Sequence, residues 1–274
     1  MSEALASWET RSKVRPNGRW NGAVTQRPFP GAEEIEELDL ATRRRVAEYW
    51  LGQAASEARV AESFRSIHSS LLHLQADAGL IRLAARAVDD EHRHAALTEE
   101  LACRYAGRRV GPHPVLAPQQ PRHERAASET LRHALFVTGQ CALNETFATA
   151  YLSAARRGAE SPIARHALRE LLEDEIDHSR IGWAFLAEVP VRHRAELSDW
   201  LLPLTVCNYR EWQQLQLPEN DALAPLGIPP AEVARTALFE ALEGILLPGF
   251  RHVGLDTRDL EAWIRAGAPV PGAS

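Results

Sequence analysis

Two stretches of this chain place a carboxylate and an imidazole three residues apart. DDEHRHAA at 89–96 contains Glu91-x-x-His94, and EDEIDHSR at 173–180 contains Glu175-x-x-His178. Residues i and i+3 share a helix face, so each pair can bind one cation. A single pair says little, because it arises by chance and a solvated helix face also accounts for crowded acids. The repetition says more. Each glutamate follows an aspartate, Asp90 or Asp174.

The elements that must position these groups are helical. After Asp39 an apolar face recurs through Val46, Trp50, Ala54, Val60/Ala61, Phe64, Ile67 and Leu71, which predicts a helix to about Gln75. A second helix is predicted from about Leu80 to Ala106, where Gly107 stops it. The next sixteen residues, GRRVGPHPVLAPQQPR, are too rich in proline and glycine for regular structure and read as a crossover. A third helix is expected over roughly 125–157. A fourth runs from Ser161-Pro162, an N-cap and first-turn proline, to about Glu188. No strand-like alternation appears. Two hairpins of long helices joined by one crossover is an all-α layout, that of a ferritin-like four-helix bundle.

Each motif lies in the second helix of its hairpin, so a matching carboxylate is expected at the same height on each first helix. Candidates are Glu57 or Glu62, and Glu145. Glu145 lies on a small apolar face with Cys141, Ala142, Ala148, Thr149 and Leu152. Burying an unpaired carboxylate there would cost several kcal/mol, so burial implies a partner such as a metal. Glu57 shares the inward face with Ala54, Val60, Ala61 and Phe64, whereas Glu62 is turned ~140° away beside Arg59 and Arg65. The expected metal ligands are therefore Glu57, Glu91, His94, Glu145, Glu175 and His178, a set suited to two iron ions, with Fe/Mn or Mn/Mn as alternatives.

On these residues the sequence, over about 40–188, resembles the ferritin-like di-iron carboxylate proteins, the superfamily of non-haem di-iron oxygenases and oxidases. In the soluble monooxygenases of that group the aspartate of D-E-x-R-H supports the opposite histidine. The resemblance implies that Asp90 orients His178 and Asp174 orients His94. Arg93 fits the motif, while Asp177 departs from it in the second copy. Thr149, four residues after Glu145, matches a threonine placed near the O2 pocket, although a packing role fits equally well. Thr98 stands where radical-forming ribonucleotide reductase subunits carry tyrosine, and Leu171 where arylamine N-oxygenases carry a third histidine. Both departures argue against those activities. The implied function is O2 activation to oxidise a small organic substrate by hydroxylation, N-oxygenation or desaturation. The alternative is a ferroxidase or iron-handling protein without an organic substrate. No ferredoxin or flavin motif is present, so turnover implies a separate electron donor.

The remainder of the chain frames this core. Residues 1–38, polar and proline-broken, are expected to form an irregular arm. Residues 189–274 are expected to form a helical cap on the 39–188 bundle, with helices over about 191–216 (interrupted by Pro203), 230–247 and 257–266. Leu201, Leu202, Val206, Leu238, Leu242, Ile245 and Leu246 are its apolar contacts. The net charge of −6, with Lys and Arg dispersed, gives no basic stripe for nucleic acid. No run approaches the ~18 apolar residues of a membrane span. Cys103, Cys141 and Cys207 are far apart and read as reduced core residues. A cytoplasmic enzyme is the expectation, with a homodimer as one assembly open to it.

Overall fold

The computed structural model describes residues 33–267 except 112, 113 and 122. The expected arm lies outside the described residues up to position 32. Its end is ordered as a one-turn helix, α1 (Glu33–Glu36), with Ile35 buried. Among the described residues there is no strand.

Four long helical segments follow. Helix α2 (Leu40–His73) is capped by Asp39, whose side chain accepts from the Thr42 amide. A four-residue reversal leads to α3 (Ala78–Ala106), which ends at Gly107 with φ +66°. The third segment starts later than predicted, because Ser128 caps the amide of Leu131. It also changes pitch along its length: α4 (Glu129–Val137) passes into a π-helical stretch (Thr138–Asn144) and then α5 (Glu145–Gly158). Helix α6 (Pro162–Glu188) begins at the expected Ser161 cap. The hairpins α2–α3 and α5–α6 meet through α3 against α6, and α4 packs on α2.

Their apolar residues form two cores. One gathers Phe64, Leu71, Ala84, Leu135, Phe147 and Ile181; the other gathers Trp50, Leu101, Tyr105, Tyr151, Ile163 and Leu168. On α2, α3 and α6 the expected ligand positions fall between the residues of one core and those of the other, whereas on the third segment Glu145 lies among residues of the first core, between Leu143 and Phe147. Fully burying each large apolar side chain contributes roughly 1.5–3 kcal/mol. The layer between the cores gives up that gain and holds acids and histidines instead.

The C-terminal helices are attached. Helix α7 (Val191–Gln213) packs on α4 and the π-helical stretch, and α8 (Ala231–Ala241) packs on α5. Pro203 does not interrupt α7 as predicted. A 3-10 turn (Asp221–Leu226), not foreseen, packs against α5. The predicted 230–247 helix becomes α8, a π-helical stretch (Leu242–Leu246) and α9 (Leu247–His252), followed by α10 (Arg258–Arg265). Leu201, Leu238, Leu242 and Leu246 are buried as expected, but Ile245 is 52 % exposed. Within a π-helical stretch the 3.6-residue period no longer holds, so a position assigned to the inner face by that period turns outward. All three cysteines are free; Cys141 is buried, Cys103 half-buried and Cys207 exposed, so the core assignment fails for Cys207. Among the described residues no helix is long and apolar enough to cross a membrane.

Candidate metal centre

The polar layer brings together all six expected ligands, none more than 8 % exposed. They form two overlapping groups: Glu57, Glu91, His94 and Glu175, and Glu91, Glu145, Glu175 and His178. In each, one donor atom per residue lies within 4.8 Å of the others. Glu91 and Glu175 belong to both. Oε1 of Glu91 lies 2.9 Å from His178 Nδ1 and its Oε2 3.5 Å from His94 Nδ1. Glu175 reaches His94 Nδ1 at 3.8 Å through Oε1 and His178 Nδ1 at 3.5 Å through Oε2. Each of these carboxylates thus spans the two imidazoles, with Glu57 on the His94 side and Glu145 on the His178 side. Glu62 stays on the surface in an ion pair with Arg65.

Both imidazoles aim Nδ1 inward and Nε2 outward. Asp174 Oδ2 sits 3.1 Å from His94 Nε2, and Asp90 Oδ2 sits 3.6 Å from His178 Nε2. This is the crossed pairing implied by the resemblance. Arg93 bonds both aspartates, and Arg86 ties Asp90 to Asp177, which gives that departure from the motif an ion-pair partner. His92, Asp89 and Glu173, which point off the ligand face, are exposed.

The protein alone does not satisfy this layer. Glu91 Oε1 and Oε2, Glu175 Oε2, His94 Nδ1 and both ring nitrogens of His178 are buried without a hydrogen-bond partner. Buried polar atoms are rarely left so, and six within one cluster fit a cation-binding role. The titration behaviour agrees. Burial, reinforced by neighbouring carboxylates, pushes Glu57 and Glu145 well above the usual carboxylate range. Burial opposes the charge on His94, yet Asp174 and Glu91 raise it to about 10; Asp90 likewise raises His178 against its burial. Burial also disfavours the charge on Glu91, but His178 and His94 hold its carboxyl below the ordinary range. Two carboxyls and two imidazoles thus retain protons beyond their ordinary range. Neutral carboxyls and charged imidazoles both lower the negative charge of the layer, the direction in which a bound cation would act.

A cavity of about 260 Å³ opens on Glu57, Glu145 and Glu175. It lies between α2 and α5, with Arg59, Gln119 and Trp212 of α7 around it. Thr149 is not on its wall. That threonine is half-buried and its hydroxyl donates to the Glu145 carbonyl at 2.8 Å, whereas Ala148, Tyr151 and Leu152 face the cavity. Trp183 stacks on Phe250 and Phe185 is core, so neither lines it. Tyr151 does more than pack: it lines the cavity, and its hydroxyl lies 2.6 Å from that of Tyr49.

Several contributors were not foreseen. The π-helical stretch turns Gln140 and Asn144 toward the cavity. Gln140 Nε2 donates to Glu145 Oε1 (3.3 Å), Asn144 Nδ2 to Gln140 Oε1 (3.2 Å), and Trp212 Nε1 to Asn144 Oδ1 (3.3 Å). A buried chain therefore runs from a candidate ligand to α7. Gly182, one turn beyond His178, lets α6 press on that stretch: a Cβ there would meet the Ala142 nitrogen at 2.3 Å. An isolated glycine inside a helical pattern was the available signal, since it costs about 1 kcal/mol relative to alanine without a packing reason. Comparisons with family models, curated proteins and solved structures found no match.

Proposed function

We propose that this protein is a non-haem di-iron enzyme of ferritin-like architecture that activates O2 to oxidise a small organic substrate. The observation that carries the substrate is the cavity opening on Glu57, Glu145 and Glu175. An iron-handling protein needs the carboxylates but has no need of a partly open cavity of mixed polar and apolar lining beside them.

In this reading Glu91 and Glu175 would be shared by two ions, with Glu57 and His94 holding one and Glu145 and His178 the other. Carboxylates and imidazoles suit iron or manganese. When bound, the pair supplies electrons and open coordination positions for O2. Asp90 and Asp174 fix the imidazoles with Nδ1 inward and raise their basicity. Gln140 holds Glu145 in place. Val60, Leu152 and Trp212 limit the access of water, while Arg59 and Gln119 offer polar contacts to a substrate. Turnover would draw electrons from a separate donor, since the sequence carries no ferredoxin or flavin motif.

Aerobic titration with Fe(II) tests this reading. Uptake that stops at about two ions per chain, with O2 consumption accelerated by an organic substrate, is expected. Accumulation of a mineral core would favour iron storage instead.

A further inference from the structure

A second group of possible ligands lies on the surface where the end of α2 meets the start of α4. His73 is the last residue of α2, Glu129 the first of α4, and His133 follows one turn later on the same face. Along α2, His73 is about 24 Å from Glu57, so this group is separate from the buried layer. One donor atom from each of the three residues lies within 4.8 Å of the others. The imidazole centroids are 4.3 Å apart, and His133 Nε2 is 3.9 Å from Glu129 Oε1.

The hydrogen bonds around His133 fix which nitrogen is available. Its Nδ1 is 2.9 Å from Ser70 Oγ, and Ser70 is fully buried. The Ser70 hydroxyl proton is already donated to the Ser66 carbonyl at 2.9 Å. Ser70 Oγ can therefore only accept from His133, so Nδ1 carries the proton and Nε2 keeps its lone pair. That lone pair faces the Glu129 side. A ligand histidine is set up in this way, with its outer N–H held by a fixed acceptor.

We propose that His73, Glu129 and His133 form a second metal site, of the Zn2+ class, that clips the end of α2 to the start of α4. Two imidazoles and one carboxylate with a fourth position for water is a zinc-type donor set, unlike the carboxylate-rich buried layer. Closing onto an ion with bonds of roughly 2.0–2.2 Å requires turns of only His73 and Glu129, both exposed. The clip would hold the helix that follows the crossover against the first hairpin.

Titration of the full chain with Zn2+, in competition with a chromophoric chelator, tests the proposal. It compares the unmodified chain with His73→Ala/His133→Ala. The unmodified chain should bind one more ion than the double variant, whatever the buried layer takes up, so the result does not depend on the function of that layer. Glu129→Gln, at an exposed position that leaves folding intact, should weaken this ion about tenfold. Ser70→Ala should weaken it by a similar factor, by releasing the His133 tautomer. Co2+ should give the visible absorption of a tetrahedral site in the unmodified chain and lose it in the double variant. Equal stoichiometry and equal Co2+ spectra in the two chains would overturn the proposal.

Discussion

The two hairpins deliver nearly the same donors from unequal scaffolds. In the first, Glu57 projects from an uninterrupted α-helix, and α2 reaches the C-terminal helices through Arg59 and Glu211, 3.7 Å apart and partly exposed. In the second, Glu145 emerges where a π-helical stretch ends, and a buried chain through Gln140 and Asn144 reaches Trp212. An exposed ion pair contributes about 0–1 kcal/mol; leaving a buried polar group unpaired costs about 1–3 kcal/mol. The comparison teaches that near-symmetry of donors does not require symmetry of support. The second hairpin couples the centre to the cavity cover, and the first mainly supplies a cavity wall.

Substitutions that break this comparison should rank in size. The largest effect is expected at the shared carboxylates: Glu91→Ala or Glu175→Ala should abolish binding of both ions, whereas Glu57→Ala or Glu145→Ala should remove or weaken one, as read by elemental analysis after anaerobic loading. Replacing Asp90 or Asp174 by Asn should lower metal affinity about 10–100-fold while leaving stoichiometry at saturation unchanged, measurable by chelator competition. Gly182→Ala should destabilise the fold by about 1–3 kcal/mol despite alanine's better helix propensity, because the obstacle is backbone; denaturant unfolding would show it. Asn144→Ala should cost about 1–3 kcal/mol and loosen Trp212, visible in its fluorescence. Glu211→Ala, the counterpart from the first hairpin, should change stability by less than about 1 kcal/mol. Equal effects of the last two would erase the contrast between the hairpins.

The helices and the clustering of the six acids and histidines were legible because they rest on period and pairing. Asp39, Gly107 and Ser161 mark helix ends through local chemistry, and Glu57 could be separated from Glu62 by helical angle alone. The π-helical stretches were not legible. A pattern read at 3.6 residues per turn cannot register a change of pitch, which is why Ile245 was assigned inward and why Gln140 and Asn144 were overlooked. Thr149 illustrates another gap. Its spacing from Glu145 suggested a site role, but a threonine hydroxyl can instead bond the carbonyl four residues back, and sequence does not show which it does. The cavity depends on how α7 lies over α2 and α5, a non-local arrangement that no segment encodes by itself.

In the proposed reading, the layer between the two apolar cores binds a pair of metal ions. Anaerobic loading with Fe(II), followed by desalting and elemental analysis, tests it most directly. The chain should carry His73→Ala and His133→Ala so that no surface ion is counted. About two irons per chain are expected, falling to essentially none when Glu91 is also replaced by alanine. A chain that retains no iron, or that retains the same amount without Glu91, would contradict the account.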